Sequence, residues 1–108
     1  MRKLVTSFIK AVNSFDIDGA LALFAPGAVI EDASVGNAFV GTAGVRVYLE
    51  RYFVGYHTRS KLLSIQQASE LSVTVRLDFR GDFGHETGIL KFEVHPGGLI
   101  ARIDAELE

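Results

Sequence analysis

Cysteine is absent from this sequence, which removes disulfide staples, a thiolate nucleophile and any cysteine-based zinc site. A cytoplasmic setting is the matching expectation. Tryptophan is absent too, and only two prolines interrupt the 108 residues, so little in the chain resists regular structure. No apolar run approaches the ~20 residues of a membrane span, and Met1 to Lys10 lacks the sustained apolar stretch and small-residue cleavage site of a leader. Neither charge sign dominates: a formal net charge of −2 supplies no field for nucleic acid. Membrane and nucleic acid are therefore not expected partners. What is present is a 48% hydrophobic, 22% charged chain with eight Phe and three Tyr. That composition fits a single domain over residues 1–108, burying roughly two thirds of its unfolded-chain surface. The ligand class left open is a small molecule.

The first half reads as helices. Leu4, Val5, Phe8, Ile9 and Val12 recur at helical spacing and predict an amphipathic helix over 2–14. Asp16 is placed to cap a second, shorter helix with Ile17, Leu21 and Phe24 on its buried side, ended by Pro26-Gly27. A third is expected from about Ala43 to Tyr56, with Thr42 as its N-cap, Val45, Tyr48, Leu49, Tyr52 and Phe53 on one broad face, and Glu50 paired to Arg46. From Thr58 the apolar period becomes two. Strands are expected over 61–68, 71–80, 86–95 and 99–107, broken by Ser69-Glu70, by Gly81 to Gly84 and by His95 to Gly98. With a strand at Ala28 to Ile30, the order is α-α-β-α-β-β-β-β. This is an α+β domain, its helices packed on one face of a curved, mostly antiparallel sheet.

The stretch from Ala28 to Gly44 is the most informative. It sets Asp32 at the end of an apolar strand, just before the turn formers Ser34, Gly36 and Asn37. An acid at such a junction is either a solvated strand-end group or the polar wall of a pocket. Further on, Val73, Val75, Leu77 and Phe79 share one strand face, opposite Thr74, Arg76, Asp78 and Arg80. The last strand divides into Leu99, Ala101, Ile103, Ala105, Leu107 and Ile100, Arg102, Asp104, Glu106. A face that polar is solvated, a dimer surface, or a cavity wall.

Ala11-Val12-Asn13, then Asp16 to Gly19, Ala22 to Ala25, Glu31-Asp32 and Gly41-Thr42-Ala43 occur in an order and spacing that resembles the nuclear transport factor two-like superfamily. Within that cone-shaped fold, whose three helices lie on the sheet's concave face, the match is best to ketosteroid isomerases and SnoaL-like proteins. The resemblance implies that Asp32 is a general base and that the chain forms a homodimer through the outer sheet face. It also locates two departures. Where ketosteroid isomerases place a tyrosine and a protonated aspartic acid to stabilise the enolate oxygen, this chain has Phe8 and Leu90, which donate no hydrogen bond. True ketosteroid isomerase activity is therefore not expected, although Tyr48 or Tyr52 offers a substitute donor. Arg76-Leu77-Asp78 with Asp104 resembles instead the arginine between two carboxylates of limonene epoxide hydrolases. Whether Arg76 and Asp78 face inward depends on a one-residue register.

Taken together, the leading expectation is a small-molecule enzyme acting on an apolar or weakly polar substrate, with Asp32 as base, Asp104 as second acid or base, and Arg76 as a conditional electrophile. Phe8, Phe24, Ile30, Tyr48, Tyr52, Phe53, Leu90 and Phe92 are the expected pocket lining. No organic cofactor is needed for such chemistry, and the spacing of His57, His85 and His95 suggests no metal site. Two alternatives stand beside it: a noncatalytic ligand-binding or dimerisation module, and epoxide-hydrolase-like water activation.

Overall fold

Val5, Phe8 and Val12 are the buried stripe of α1 (Arg2–Asn13). The computed structural model describes residues 1–108. At the end of α1 the Asn13 amide imitates a strand partner: its Nδ2 donates to Ser60 O at 2.9 Å and its Oδ1 accepts from Ser60 N at 2.7 Å. Asp16 caps α2 (Ile17–Leu21), its Oδ1 accepting from Gly19 N at 2.9 Å. The chain then extends into β1 (Phe24–Asp32), turns through a left-handed Gly36, and returns as β2 (Asn37–Val40). After α3 (Gly41–Leu49) comes a π turn, Glu50–Val54, marked by Gly55 N donating to Glu50 O at 2.7 Å.

The remaining chain is a meander of β3 (Arg59–Ser69), β4 (Ser72–Gly81), β5 (Gly84–Val94) and β6 (Ile100–Leu107). The six-stranded sheet runs β2-β1-β6-β5-β4-β3, with β1 and β6 parallel and every other neighbouring pair antiparallel. Helices cover one face, the concave face of the expected α+β architecture.

Cross-strand register explains where the core closes and where it opens. Ile30, Ile103, Phe92 and Val73 lie side by side across four strands, each at most 2% exposed. Phe8 of α1 presses edge-on against Phe92, Phe24 and Phe53, with ring centroids 5.5 to 6.2 Å apart. The next row is Asp32, Ala105, Leu90 and Val75. Beyond it, Gly88 faces Leu107 and Leu77, and the Phe79 ring lies over it, 2.9 Å from where a Cβ would stand. The Phe79 ring takes up the room over Gly88, and Ala105 is the small residue of these rows that borders open space on the concave side.

Several local expectations are corrected. Phe24 is buried on β1 rather than on the second helix, which stops at Leu21, and Pro26-Gly27 occupies an irregular stretch of strand between the Phe24 and Val29 pairings. Residues 37–40, outside every expected strand, form β2 because the Gly36 turn lets them pair back on β1. Thr42 caps nothing: α3 follows directly from extended Val40, and Gly41 with φ +72° makes the corner. Arg46 pairs with Asp18 at 2.7 Å instead of with Glu50. Ile100 is fully buried although alternation grouped it with Arg102, since the register shift near Val94 changes the parity.

Candidate functional site

Asp32 ends β1 with its side chain on the concave side, next to Ala105 in register, and is only 7% exposed. Its carboxylate is held on both oxygens. Ser34 donates twice to Oδ1, from its backbone N at 2.9 Å and its hydroxyl at 2.6 Å, the short-range loop bonding that Asp favours after a strand. Tyr48 of α3 donates its phenol to Oδ2 at 2.5 Å. Burial first, then the charge of Asp32 and the hydrogen bond to it, hold the Tyr48 phenol well above its ordinary pKa of 10.0. At neutral pH Tyr48 therefore keeps its proton and is a fixed hydrogen-bond donor to Asp32.

This pair stands in the wall of a cavity of about 260 Å³, which small Ala105 also borders. Ten of its fifteen lining residues are hydrophobic. The aromatic side is continuous. Tyr48 lies 5.1 Å from Tyr52, Tyr52 lies 5.9 Å from Tyr56, and Tyr56 lies 5.9 Å from Phe83, centroid to centroid. The π turn carries Tyr52 and Phe53 in this series, and a five-residue backbone bond from Thr58 N to Phe53 O at 2.8 Å extends its spacing.

Of the expected lining, Tyr48, Tyr52, Phe53 and Leu90 border the cavity. Phe8, Phe24, Ile30 and Phe92 do not: they fill the closed core beside it. Residues that the sequence reading passed over include Tyr56, Phe79, Phe83 and Glu86. Glu86 pairs directly with inward-facing Phe79, so it shares that face, and the alternation Leu90, Gly88, Glu86 is the sequence signal for it.

The arginine–carboxylate set does not converge on this cavity. Val75 and Leu77 take the inner positions of β4, which turns Arg76 outward to Glu108, Nε to Oε1, at 2.6 Å. Asp78 also faces out, 3.4 Å from Arg80 and in contact with His85. Asp104 is bound by Arg102, whose Nε and terminal NH2 lie 2.9 and 2.8 Å from its two oxygens and which also reaches Glu31. These bonds raise the guanidinium pKa further. Neither Arg76 nor Asp104 borders this cavity: inward-facing Ile103 and Ala105 alternate with Asp104 and turn it to the opposite side of β6, where it lines a separate, polar surface pocket with Glu31, Lys91 and the end of β1 at Asp32.

The model of the SnoaL-like domain matches residues 5–103. The chain belongs to this SnoaL-like family. No functionally curated protein matches it in sequence. Among solved structures, the SnoaL-like chain is similar to a provisionally assigned ketosteroid isomerase from Kribbella flavida DSM 17836, with 18% identity and a TM-score of 0.86 over 99% of this chain and 76% of that one. It is similar to SalBIII, an epoxide hydrolase/cyclase-like enzyme of pyran ring formation in polyether salinomycin, at 19% identity and TM-score 0.88, covering 99% and 89%. It is also similar to Rv0760c of Mycobacterium tuberculosis, solved with estradiol-17beta-hemisuccinate, at 22% identity and TM-score 0.82, covering 94% and 88%. At these identities the likeness establishes the fold. No helix of this SnoaL-like chain is long and apolar enough to cross a membrane.

Proposed function

We propose that this SnoaL-like protein is a small-molecule enzyme in which Asp32 is the general base for an apolar or weakly polar substrate. The observation that carries the reading is a buried carboxylate, fixed by Ser34 and Tyr48, in the wall of an otherwise largely apolar cavity. A carboxylate has about four acceptor sites. Three are occupied here, and the second lone pair of Oδ2 is left to take a proton from a C–H or O–H of the substrate. Return of that proton to another atom of the same molecule gives isomerisation or ring closure without an organic cofactor. Tyr52 is the nearest further phenol to steady charge on a substrate oxygen, its ring 5.1 Å from that of Tyr48. Relatives named for isomerase and cyclase chemistry support the class of reaction.

A second reading, a noncatalytic pocket for an apolar ligand, is favoured by one observation: Leu90 borders the cavity and Phe8 lies outside it, so neither position gives the oxyanion donor of a ketosteroid isomerase. The two readings separate with 2-tetralone, a small apolar carbon acid, by following loss of its α-proton signals in deuterated buffer. Catalysed exchange that falls ~10²- to 10⁴-fold in Asp32→Asn is the expected outcome. Wild-type exchange no faster than that of Asp32→Asn, with 2-tetralone still bound, would establish the binding module. A homodimer through the outer sheet face, supported by the family resemblance, completes the proposal.

A further inference from the structure

We propose that the cavity takes an apolar molecule carrying a protonated amine, with the ammonium at the mouth beside Glu86 and the apolar body reaching inward to Asp32. This rests on the reading of the cavity as the ligand site. The charges that border the cavity have one sign: Asp32, Glu86 and Glu106, with no Lys, Arg or His among the fifteen lining residues. These three carboxylates differ in availability. Asp32 is saturated by Ser34 and Tyr48 except for one lone pair, and Glu106 reaches toward Lys91 at 3.9 Å on the outer side. Glu86 has no hydrogen-bond or ion-pair partner in the chain, although its neighbours His85 and Asp78 are paired with each other.

Around that free acid stand ring faces and edges rather than counter-charges. Phe79 is its cross-strand partner, while Phe83 and Tyr56, 38% and 44% exposed, meet at 5.9 Å on the same rim. The basic side chains on the flanking segments stay out of the cavity lining: His57 bonds Asp82 at 2.8 Å, Arg80 and His85 both pair with Asp78, and Arg51 stands 6.0 Å from the Tyr52 centroid. Aromatic rings attract a cation through their negative faces, and a carboxylate at the mouth of a low-dielectric cleft adds to that attraction. A neutral apolar ligand would use the same walls and gain nothing from Glu86, which is exposed to solvent. An anionic ligand would meet the carboxylates of Asp32 and Glu86.

Three naphthalene probes of nearly equal size test this: 1-naphthylmethylamine, 1-naphthalenemethanol and 1-naphthoate, titrated into the intact protein near neutral pH by calorimetry. Tyrosine and phenylalanine ring signals in NMR locate each probe in the cavity. The ammonium is expected to bind about tenfold more tightly than the alcohol, with the carboxylate weakest. In Glu86→Gln the ammonium should lose most of that advantage while the alcohol binds as before, and added salt should narrow the gap in the wild type. Equal binding of amine and alcohol overturns the cation inference and leaves the cavity reading standing. An amine preference that persists in Glu86→Gln also overturns the inference. If no probe shifts the cavity rings, the cavity itself is not the ligand site, and both readings fall.

Discussion

Tyr48 and Asp32 come from different elements, sixteen residues apart, and their 2.5 Å contact fixes the one strongly polar group buried in the concave face. Replacing Tyr48 with Phe removes that donor and leaves Oδ2 desolvated without a partner. The expected cost is ~1–3 kcal/mol in urea unfolding, whereas Ser34→Ala, which keeps the backbone donor, is expected to cost only about 1 kcal/mol. Tyr48 also sets an alkaline limit. Its folded pKa lies above 10.0 because of burial and Asp32. An unfolded tyrosine ionises near pH ~10. Above that pH the unfolded chain releases a proton that the folded chain keeps, so stability is intact below about pH 10 and falls as pH rises through the folded value. Unfolding midpoints measured upward from neutrality should therefore drop more steeply for wild type than for Tyr48→Phe. Parallel curves would show that Tyr48 is not the group responsible. In the sequence Asp32 was legible as an acid at the end of an apolar strand. Its partner was not, because periodicity along α3 assigns Tyr48 to the buried face without saying which strand end that face meets.

At the scale of elements, α1 behaves as an apolar wedge whose tip is Phe8, 2% exposed and edge-on to three other phenylalanines. Restoring a tyrosine at this position, as the ketosteroid isomerase pattern has it, would bury a hydroxyl among Phe24, Phe53 and Phe92. Phe8→Tyr is expected to lose ~1–3 kcal/mol of stability and to gain no isomerase activity, because Phe8 does not border the cavity. Isomerisation of a steroid enone by the variant, at unchanged stability, would mean that the core at Phe8 opens to the cavity. Helix α1 and strands β4 and β5 were readable because each repeats one apolar period several times, whereas β3 and β6 were found from the turn formers between strands. Strand β2 was not, since four residues after turn formers carry too short a pattern to distinguish from loop. The π turn was hidden for a related reason: inserting a five-residue bond changes which side chains meet without breaking the apolar count.

Across the whole molecule, the sheet separates two chemistries. The concave side holds the core, the Asp32–Tyr48 pair and the cavity, and the outer side holds a field of paired charges. Alternation made the polarity of that outer side readable, but choosing between cavity wall and surface for Arg76 required the register of β4 on β5, in which Arg76 stands opposite Ile89 and Val75 opposite Leu90. That register places Arg76, Lys91 and Arg102 outward with Glu108, Glu106 and Asp104, each cation already near an acid of its own chain. A second copy meeting this face about a two-fold axis would therefore cover balanced charge, and covering it still costs desolvation. The proposed homodimer is accordingly expected to be a reversible one. Light scattering should give twice the 11.8 kDa chain mass at high concentration and fall toward the monomer on dilution. Charge reversal at Arg102, which holds both Glu31 and Asp104, should shift that dissociation to higher concentration while leaving probe binding in the cavity unchanged. A monomer at every concentration would remove the dimer from the proposal and leave the proposed role of the cavity, which one chain builds alone, untouched.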